Sequence, residues 1–96
     1  MPLLRILRQQ GETLVIICDR ELLGKRFVCG NLHLDVRESF YSGEEASIER
    51  CLKALSEATI GNLVGSIVDE AIKAGIIDGS SVLRFEGVPH AQLVRL

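Results

Sequence analysis

An unbroken apolar run in the first part of the chain constrains the fold most. Residues 13–18 read TLVIIC, and a continuous run of this kind, rich in β-branched side chains, is typical of a strand covered on both faces. Residues 3–8 read as a second strand, and residues 9–12, QQGE, suit a short turn between the two. We therefore predict an antiparallel hairpin whose second strand lies centrally in a sheet.

Size and composition favour one folded domain. The chain has 96 residues, of which 47% are hydrophobic and 25% charged. It can therefore form one buried core, and disorder is not expected. We predict a single domain over residues 1–96. The net charge of −2 argues against a surface covered in cations, although residues 1–37 carry six Lys or Arg against four Asp or Glu. A basic face on that part of the chain is compatible with these numbers.

Residues typical of turns divide the segment after the first hairpin into short elements. Residues 19–24 suit one helical turn, capped by Asp19 and ended by Gly24. Residues 27–29 and 32–36 flank a Gly-Asn turn and predict a second hairpin, and residues 38–43 read as a loop or an irregular strand end. Alternation in the second hairpin places some side chains inward (Leu32, Leu34 and Val36) and others toward water (His33 and Asp35).

Helical periodicity dominates the second half. Ser47 can cap a helix whose apolar positions recur at three- and four-residue steps: Ile48, Cys51, Leu52, Leu55 and Ala58. A second helix is predicted to begin near Ile60 or Asn62 and to stop at Gly75, with Gly65 inside it in close contact with another backbone. Residues 82–86 and 91–96 read as two short strands, with 87–90 as the turn. This order of strands, helices and strands predicts an α+β domain with a mainly antiparallel sheet and two helices packed on one face.

Few patterns point to catalysis or to a bound group. The familiar phosphate-loop, dinucleotide and hydrolase motifs are missing from the sequence. Residues 61–65 would offer backbone N–H groups to an anion if they opened a helix, but glycines used for packing explain them more simply. Four side chains are of metal-ligand type (Cys29, His33, Asp35 and His90), yet their spacing is irregular. We predict neither a metal site nor a cofactor.

The sequence allows two interpretations of Cys18. A thiol next to Asp19, at the start of a helical turn, can be reactive because the local dipole lowers the pKa of a thiol. Burial at the end of an apolar run is the simpler reading. If Cys18, Asp19 and His90 converge in the fold, they would form the site of a small enzyme.

A binding surface has somewhat more support. Several cations lie around the predicted turn and the second hairpin (Arg20, Lys25, Arg26 and Arg37), with aromatic rings in neighbouring segments (Phe27, Phe40 and Tyr41). Cations beside rings can engage single-stranded nucleic acid through phosphate contacts and base stacking. Rings at such positions also serve as core or rim packing, so direct RNA contact is one possibility beside a protein partner.

Four segments together resemble the archaeal domain-of-unknown-function family DUF424. They are CDRELLGK at residues 18–25, FYSG at 40–43, ATIGNLVG at 58–65 and GVPHAQ at 87–92. The resemblance implies an archaeal cytoplasmic protein and a loose association with translation, and it carries no reaction or catalytic residue. The three cysteines have no C-x-x-C spacing, and no secretory leader or membrane span is recognisable, which also favours a reduced cytoplasmic location.

These observations favour a non-enzymatic binding or adaptor module that acts with a protein or ribonucleoprotein partner. The residues we predict to contact the partner are Asp19, Arg20, Lys25, Tyr41 and His90, because polar side chains in turns are often displayed for binding. Two alternatives remain. One is the small enzyme with Cys18, Asp19 and His90, and the other is a structural subunit that buries apolar surface in a homodimer.

Overall fold

Eight strands and three helices make up the structure, a computed structural model that describes residues 1–95. In chain order the strands are β1 (Leu3–Gln9), β2 (Glu12–Cys18), β3 (Arg26–Cys29), β4 (Leu32–Asp35), β5 (Glu44–Glu45), β6 (Ile60–Val64), β7 (Leu83–Phe85) and β8 (Val88–Val94). The helices are α1 (Glu38–Tyr41), α2 (Ile48–Glu57) and α3 (Ile67–Lys73), with 3-10 turns at Arg20–Leu22 and Gly79–Ser81. The predicted α+β class is confirmed.

One sheet of six strands, in the order β5-β1-β2-β6-β8-β7, forms the centre of the fold, and β3 and β4 form a separate hairpin. β1 and β2 pair antiparallel from Leu3 opposite Cys18 to Gln9 opposite Glu12. The two residues between them, Gln10 and Gly11, have φ values of 50° and 80°, the backbone that a two-residue hairpin turn requires. The predicted hairpin and the central position of β2 are therefore confirmed.

The start of the predicted second helix is wrong, because residues 60–64 form strand β6. This strand runs parallel to β2 and antiparallel to β8, so its backbone N–H groups belong to the sheet and are not presented to an anion. A Cβ atom at Gly61 would lie 3.1 Å from the Leu93 side chain and 3.3 Å from that of Leu55. Gly61 thus allows α2 to pack closely on the sheet. The helix itself, α3, begins only at Ile67.

Helices α2 and α3 pack on one face of the sheet, as predicted. The largest apolar cluster lies between them and the sheet, and its fully buried members include Val15, Ile17, Leu55, Leu63 and Ile67. The predicted cap of α2 is confirmed, since the Ser47 hydroxyl accepts a hydrogen bond from the backbone N–H of Arg50 at 3.0 Å. This arrangement satisfies one of the backbone donors at the helix start.

The β3–β4 hairpin and α1 cover the opposite face of the sheet. A second apolar cluster lies beneath them, with Ile16, Cys18, Leu34, Val36, Tyr41, Val64 and Phe85 buried. Leu34 and Val36 point inward and His33 is exposed, as predicted, but Leu32 is 54% exposed because it lies beside the turn at the hairpin tip. Residues 38–43, expected to be a loop or an irregular strand end, contain the short helix α1 instead.

The last two strands are joined by a shorter turn than the sequence indicated. β7 and β8 pair antiparallel, with Phe85 opposite Val88, and only Glu86 and Gly87 form the turn, at φ values of 53° and 85°. Residues 88–90, predicted to lie in the turn, therefore belong to β8. Of the strand predicted at 91–96, Leu96 lies outside the described residues.

Candidate functional site

Asp19 holds the end of β2 to the start of α3. Its carboxylate accepts two hydrogen bonds from Ser66, one from the backbone N–H at 2.8 Å and one from the hydroxyl at 2.7 Å. It makes no side-chain cap bond to the 3-10 turn that follows it, so the predicted cap is wrong. Between the two elements, Gly65 has φ +100°, and a Cβ atom there would collide with the Asp19 carboxylate. Gly65 therefore makes room for the Asp19 side chain, and not for another backbone as predicted. It also lies before α3 rather than inside the helix.

Arg20 and Lys25 are both exposed, but they lie in different surroundings. Arg20 forms an ion pair with Glu45 of β5, with 2.8 Å between the guanidinium and carboxylate atoms. This pair links the 3-10 turn to the edge of the sheet and, because both side chains are at least half exposed, contributes little to stability. Lys25 lies at the base of the β3–β4 hairpin, where its carbonyl accepts a hydrogen bond from the N–H of Val36 at 2.9 Å.

Tyr41 is buried rather than displayed. Its hydroxyl donates a hydrogen bond of 2.7 Å to the side-chain oxygen of Asn62 in β6, and its ring packs edge-to-face with Phe40 at a centroid distance of 4.9 Å. Burial raises the pKa of Tyr41 to about 12, with a smaller contribution from the neighbouring Cys18 thiol. This tyrosine therefore fixes α1 onto the sheet.

His90 lies within β8 and is half-buried. Its Nδ1 atom is 2.9 Å from the carbonyl oxygen of Leu63. Because a carbonyl can only accept, Nδ1 carries the proton in this contact. The imidazole also packs against Phe85, with the ring centroids 6.2 Å apart. His90 is therefore part of the packing between β6, β7 and β8.

The structure does not bring Cys18 into hydrogen-bonding contact with His90. Both residues lie opposite Val64, one on each neighbour of β6, which separates their backbones by two strand spacings, roughly 10 Å. The Cys18 thiol is fully buried and donates to the carbonyl of Asp19 at 3.2 Å. Burial, with the nearby Asp19 and Glu21 carboxylates, raises its pKa to about 12. These properties favour the structural reading of Cys18, since the thiolate is the nucleophilic form.

The residues of metal-ligand type are spread over two parts of the fold. Cys29, His33 and Asp35 lie on the β3–β4 hairpin, whereas His90 lies in β8. Within residues 1–95 there is no group of three or more His, Cys, Asp or Glu side chains that could hold a metal ion.

Three of the predicted cations come together at the base of the β3–β4 hairpin. Lys25, Arg26 and Arg37 line a cleft of about 290 Å³, which we call the hairpin cleft. Asp35 lies in the same cleft and is 3.5 Å from Arg26. Gly24 and Val36 complete the lining, and the Gly24 N–H bonds to the Val36 carbonyl at 2.6 Å. This pairing brings the residues before β3 beside those after β4.

The aromatic rings near these cations are not exposed platforms. Phe27 and Phe40 are half-buried and pack against the cluster beneath the hairpin, and Tyr41 is one of its buried members. Because stacking on a base needs an accessible ring face, these rings serve the core instead. The hairpin cleft therefore offers positive charge for phosphate rather than ring faces for base stacking.

A larger cleft, which was not predicted from the sequence, lies at the outer edge of β1. It has a volume of about 600 Å³ and is lined by residues that include Leu4, Arg5, Ile6, Gly43, Glu45 and Arg50. We call it the edge cleft. The Arg5 guanidinium forms part of its wall and donates to the carbonyls of Ser39 and Phe40 at 2.8 and 3.1 Å. The cleft exists because β5 is only two residues long, which could not be read from the residue pattern.

None of the helices in residues 1–95 is long and apolar enough to cross a membrane. A crystal structure of an uncharacterized conserved protein from Methanopyrus kandleri is similar to this chain, with a TM-score of 0.76 and 26% sequence identity. The similarity covers 99% of this chain and 94% of that one. A comparison with curated proteins found no match. The family model described as "Protein of unknown function (DUF424)" matches residues 7–96, and because that match takes in nearly the whole sequence, the chain belongs to the DUF424 family.

Proposed function

We propose that this protein is a non-enzymatic binding module that contacts a ribonucleoprotein partner through the hairpin cleft. The observation that carries the proposal is the convergence of Lys25, Arg26 and Arg37 in a chain whose net charge is −2. A local excess of positive charge on an acidic protein provides a phosphate-binding surface without general attraction to polyanions. Arg26 forms an ion pair with Asp35, so Lys25 and Arg37 are the principal contacts to phosphate.

The neighbouring surface can serve the protein component of such a partner. Val28 and Leu32, near the tip of the same hairpin, are 50% and 54% exposed. Apolar side chains beside a cluster of cations give a mixed surface of the kind that protein interfaces use. The link to translation and the cytoplasmic location are part of this proposal and come from the family resemblance.

Of the five residues predicted to contact the partner, Lys25 keeps that role in the proposal. Arg20 is a second exposed cation, held by Glu45 outside the hairpin cleft. Asp19, Tyr41 and His90 are engaged in contacts within the fold. We infer that they support the surface by fixing the elements around it.

Affinity capture from native extract, with and without nuclease, tests the proposal. The bait is the full chain, and the comparison is the double variant Lys25→Glu/Arg37→Glu. A matched control, Lys53→Glu/Lys73→Glu, makes the same change of charge on α2 and α3, away from the hairpin. We expect RNA and its proteins to be retained by the wild type and the control and lost by the hairpin variant. Retention that is equal for all three would contradict the proposal.

A second measurement separates phosphate contact from protein contact. The affinity for a fluorescently labelled single-stranded RNA should fall as salt rises, with a log–log slope of roughly −2 if three phosphates are neutralised. The slope should become shallower in the hairpin variant. A nuclease-resistant partner whose binding is insensitive to salt would instead indicate protein recognition.

The two alternatives make different predictions. A small enzyme at Cys18, Asp19 and His90 requires a contact that the register of the sheet does not provide. A homodimer stays a prediction of the sequence, and sedimentation of the purified protein at working concentration tests it, since a monomer alone would exclude it.

A further inference from the structure

The outer edge of β1 is open beyond its first two residues. β5 pairs only with Leu3 and Leu4, through Glu45 and Glu44, and among residues 1–95 no other strand pairs with β1 on this side. β1 continues to Gln9. The segment from residue 6 to residue 9 is therefore a sheet edge with room for one more strand beside it.

The hydrogen-bonding pattern identifies the backbone groups that face this open edge. The Ala46 N–H donates to the Pro2 carbonyl at 3.0 Å, so residue 2 directs its polar groups toward the β5 side. In an extended strand this direction alternates along the chain. The polar groups of residues 4, 6 and 8 therefore point to the same side as those of residue 2. Ile6 and Arg8 thus present an N–H and a carbonyl each to the open edge, whereas the groups of Leu7 point toward β2.

The charges beside this edge differ from one end to the other. Glu44 lies opposite Leu4 at one end, and Arg8 lies four residues further along β1, roughly 13 Å away. Arg50 lines the edge cleft from α2. Within residues 1–95, neither Arg8 nor Arg50 forms an ion pair, and both are exposed. Arg8 lies beyond the lining of the cleft, on the part of the edge that leads away from Glu44 and Glu45. Together with Arg50 it would attract an acidic side chain in a segment that runs from the cleft along β1.

We infer that the edge cleft binds an extended segment of a partner protein, which adds a strand to the free edge of β1. Its backbone would pair with Ile6 and Arg8, the mode known as β-strand addition. Ile6 and Arg8 lie on the same face of the sheet because they are two residues apart. An antiparallel segment would therefore place an acidic residue opposite Arg8 and, two positions later, an apolar residue opposite Ile6.

A second copy of the chain fits this edge less well. Two β1 strands related by a two-fold axis would bring Arg8 of both copies close together, and like charges at neighbouring positions destabilise strand pairing. Gly43 also lies against the backbone of Leu4 and Arg5, so the turn at Gln10 and Gly11 of the other copy would meet it. A short segment from another protein avoids both conflicts.

Selection from a random heptapeptide phage library, with the full chain as bait, tests this inference. The enriched peptide is synthesised with a fluorophore, and its affinity is measured by anisotropy. We expect the spacing acidic–x–apolar, and a loss of affinity of about tenfold for Arg8→Glu and for Arg50→Glu. Lys53→Glu, an equal change of charge elsewhere on α2, should bind as the wild type does. So should Lys25→Glu/Arg37→Glu, because this inference does not rest on the hairpin cleft.

Amide hydrogen exchange gives a readout at the level of single residues. The N–H groups of Ile6 and Arg8 should exchange rapidly in the free protein and become protected in the peptide complex, whereas that of Leu7 should be protected in both. Failure to enrich any peptide would overturn the inference. So would a bound peptide that leaves exchange at Ile6 and Arg8 unchanged, or one whose affinity is insensitive to both arginine variants.

Discussion

The Asp19 carboxylate binds both the backbone N–H and the hydroxyl of Ser66, at 2.8 and 2.7 Å, across 47 positions of sequence. These bonds join the end of β2 to the residue before α3. Replacement of Asp19 by Ala should lower the free energy of unfolding by about 1–2 kcal/mol, since two bonds to a charged acceptor are lost at a partly exposed site. Urea unfolding measures the change. Glu21→Ala, in the adjacent 3-10 turn, should have little effect, and equal losses for both variants would contradict this role of Asp19.

Gly65 and Gly75 provide a matched pair of glycines. Both have positive φ, of 100° and 75°, but only at Gly65 would a Cβ atom meet the Asp19 carboxylate, whereas at Gly75 nothing lies within 4 Å. Gly75→Ala should cost about 1 kcal/mol from backbone strain. Gly65→Ala should cost about 2–4 kcal/mol, because the clash is added to the strain. Thermal or urea unfolding compares them, and similar costs would show that the close approach of Asp19 is unimportant.

The Tyr41 hydroxyl should matter to stability through Asn62. Tyr41→Phe keeps the ring in the cluster but leaves the Asn62 side-chain oxygen without the hydroxyl donor at 2.7 Å. We expect a loss of about 1–2 kcal/mol in the free energy of unfolding. The double variant Tyr41→Phe/Asn62→Leu tests the cause, because removal of both polar groups should cost less than the sum of the two single changes. Additive losses would argue against a direct contact.

The three cysteines should differ in their accessibility to a thiol reagent. Cys18 and Cys51 are fully buried, whereas Cys29 is half-buried on the β3–β4 hairpin. In the native protein at neutral pH, a colorimetric disulfide reagent should modify Cys29 first, and all three thiols only after unfolding. Cys29→Ser should abolish the rapid phase. A rapid phase that survives in this variant would mean that a buried thiol is reactive, and the enzyme alternative would regain support.

Alkaline pH should destabilise the fold. Burial raises the pKa of Cys18 from 9.0 to about 12, that of Tyr41 from 10.0 to about 12, and that of Cys51 from 9.0 to about 11. A group whose pKa is higher in the folded state contributes stability below its unfolded pKa and loses it as pH rises through the folded value. The urea midpoint should therefore be steady below about pH 9 and fall toward pH 11–12.

Removal of one of these groups tests the origin of the loss of stability at alkaline pH. Cys51→Ala should show a smaller fall in the midpoint between about pH 9 and pH 11 than the wild type does, after allowance for its lower stability at neutral pH. A midpoint in the wild type that does not change over this range would contradict the assignment.

The sequence predicted those elements whose signals are local. The apolar run of residues 13–18, the Gln-Gly turn before it and the Ser47 cap each depend on neighbouring residues, and all are present in the fold. The segment at residues 60–64 has the pattern of a helix because its apolar residues continue the helical spacing of α3. Its strand conformation depends on distant partners, since Gly61 lies beneath Leu55 and Leu93, and Asn62 meets Tyr41.

The candidate site was harder to predict for the same reason. Clustering of Lys25, Arg26 and Arg37 follows from a short hairpin, so proximity in sequence was informative. The roles of Asp19 and His90 depend on Ser66 and Leu63, which no spacing rule connects to them. The edge cleft results from the length of β5, and a two-residue strand leaves no periodic signal.

The position of β6 between β2 and β8 has a consequence for synthesis of the protein. Domains assemble as the chain emerges from the ribosome, from the N-terminus onward. The β1–β2 hairpin can form early, but β6 follows it by 41 residues, and the far side of β6 stays uncovered until β8 has been made. A nascent chain that ends before residue 88 would therefore expose one edge of a buried strand, and the sheet is complete only when β8 has been translated.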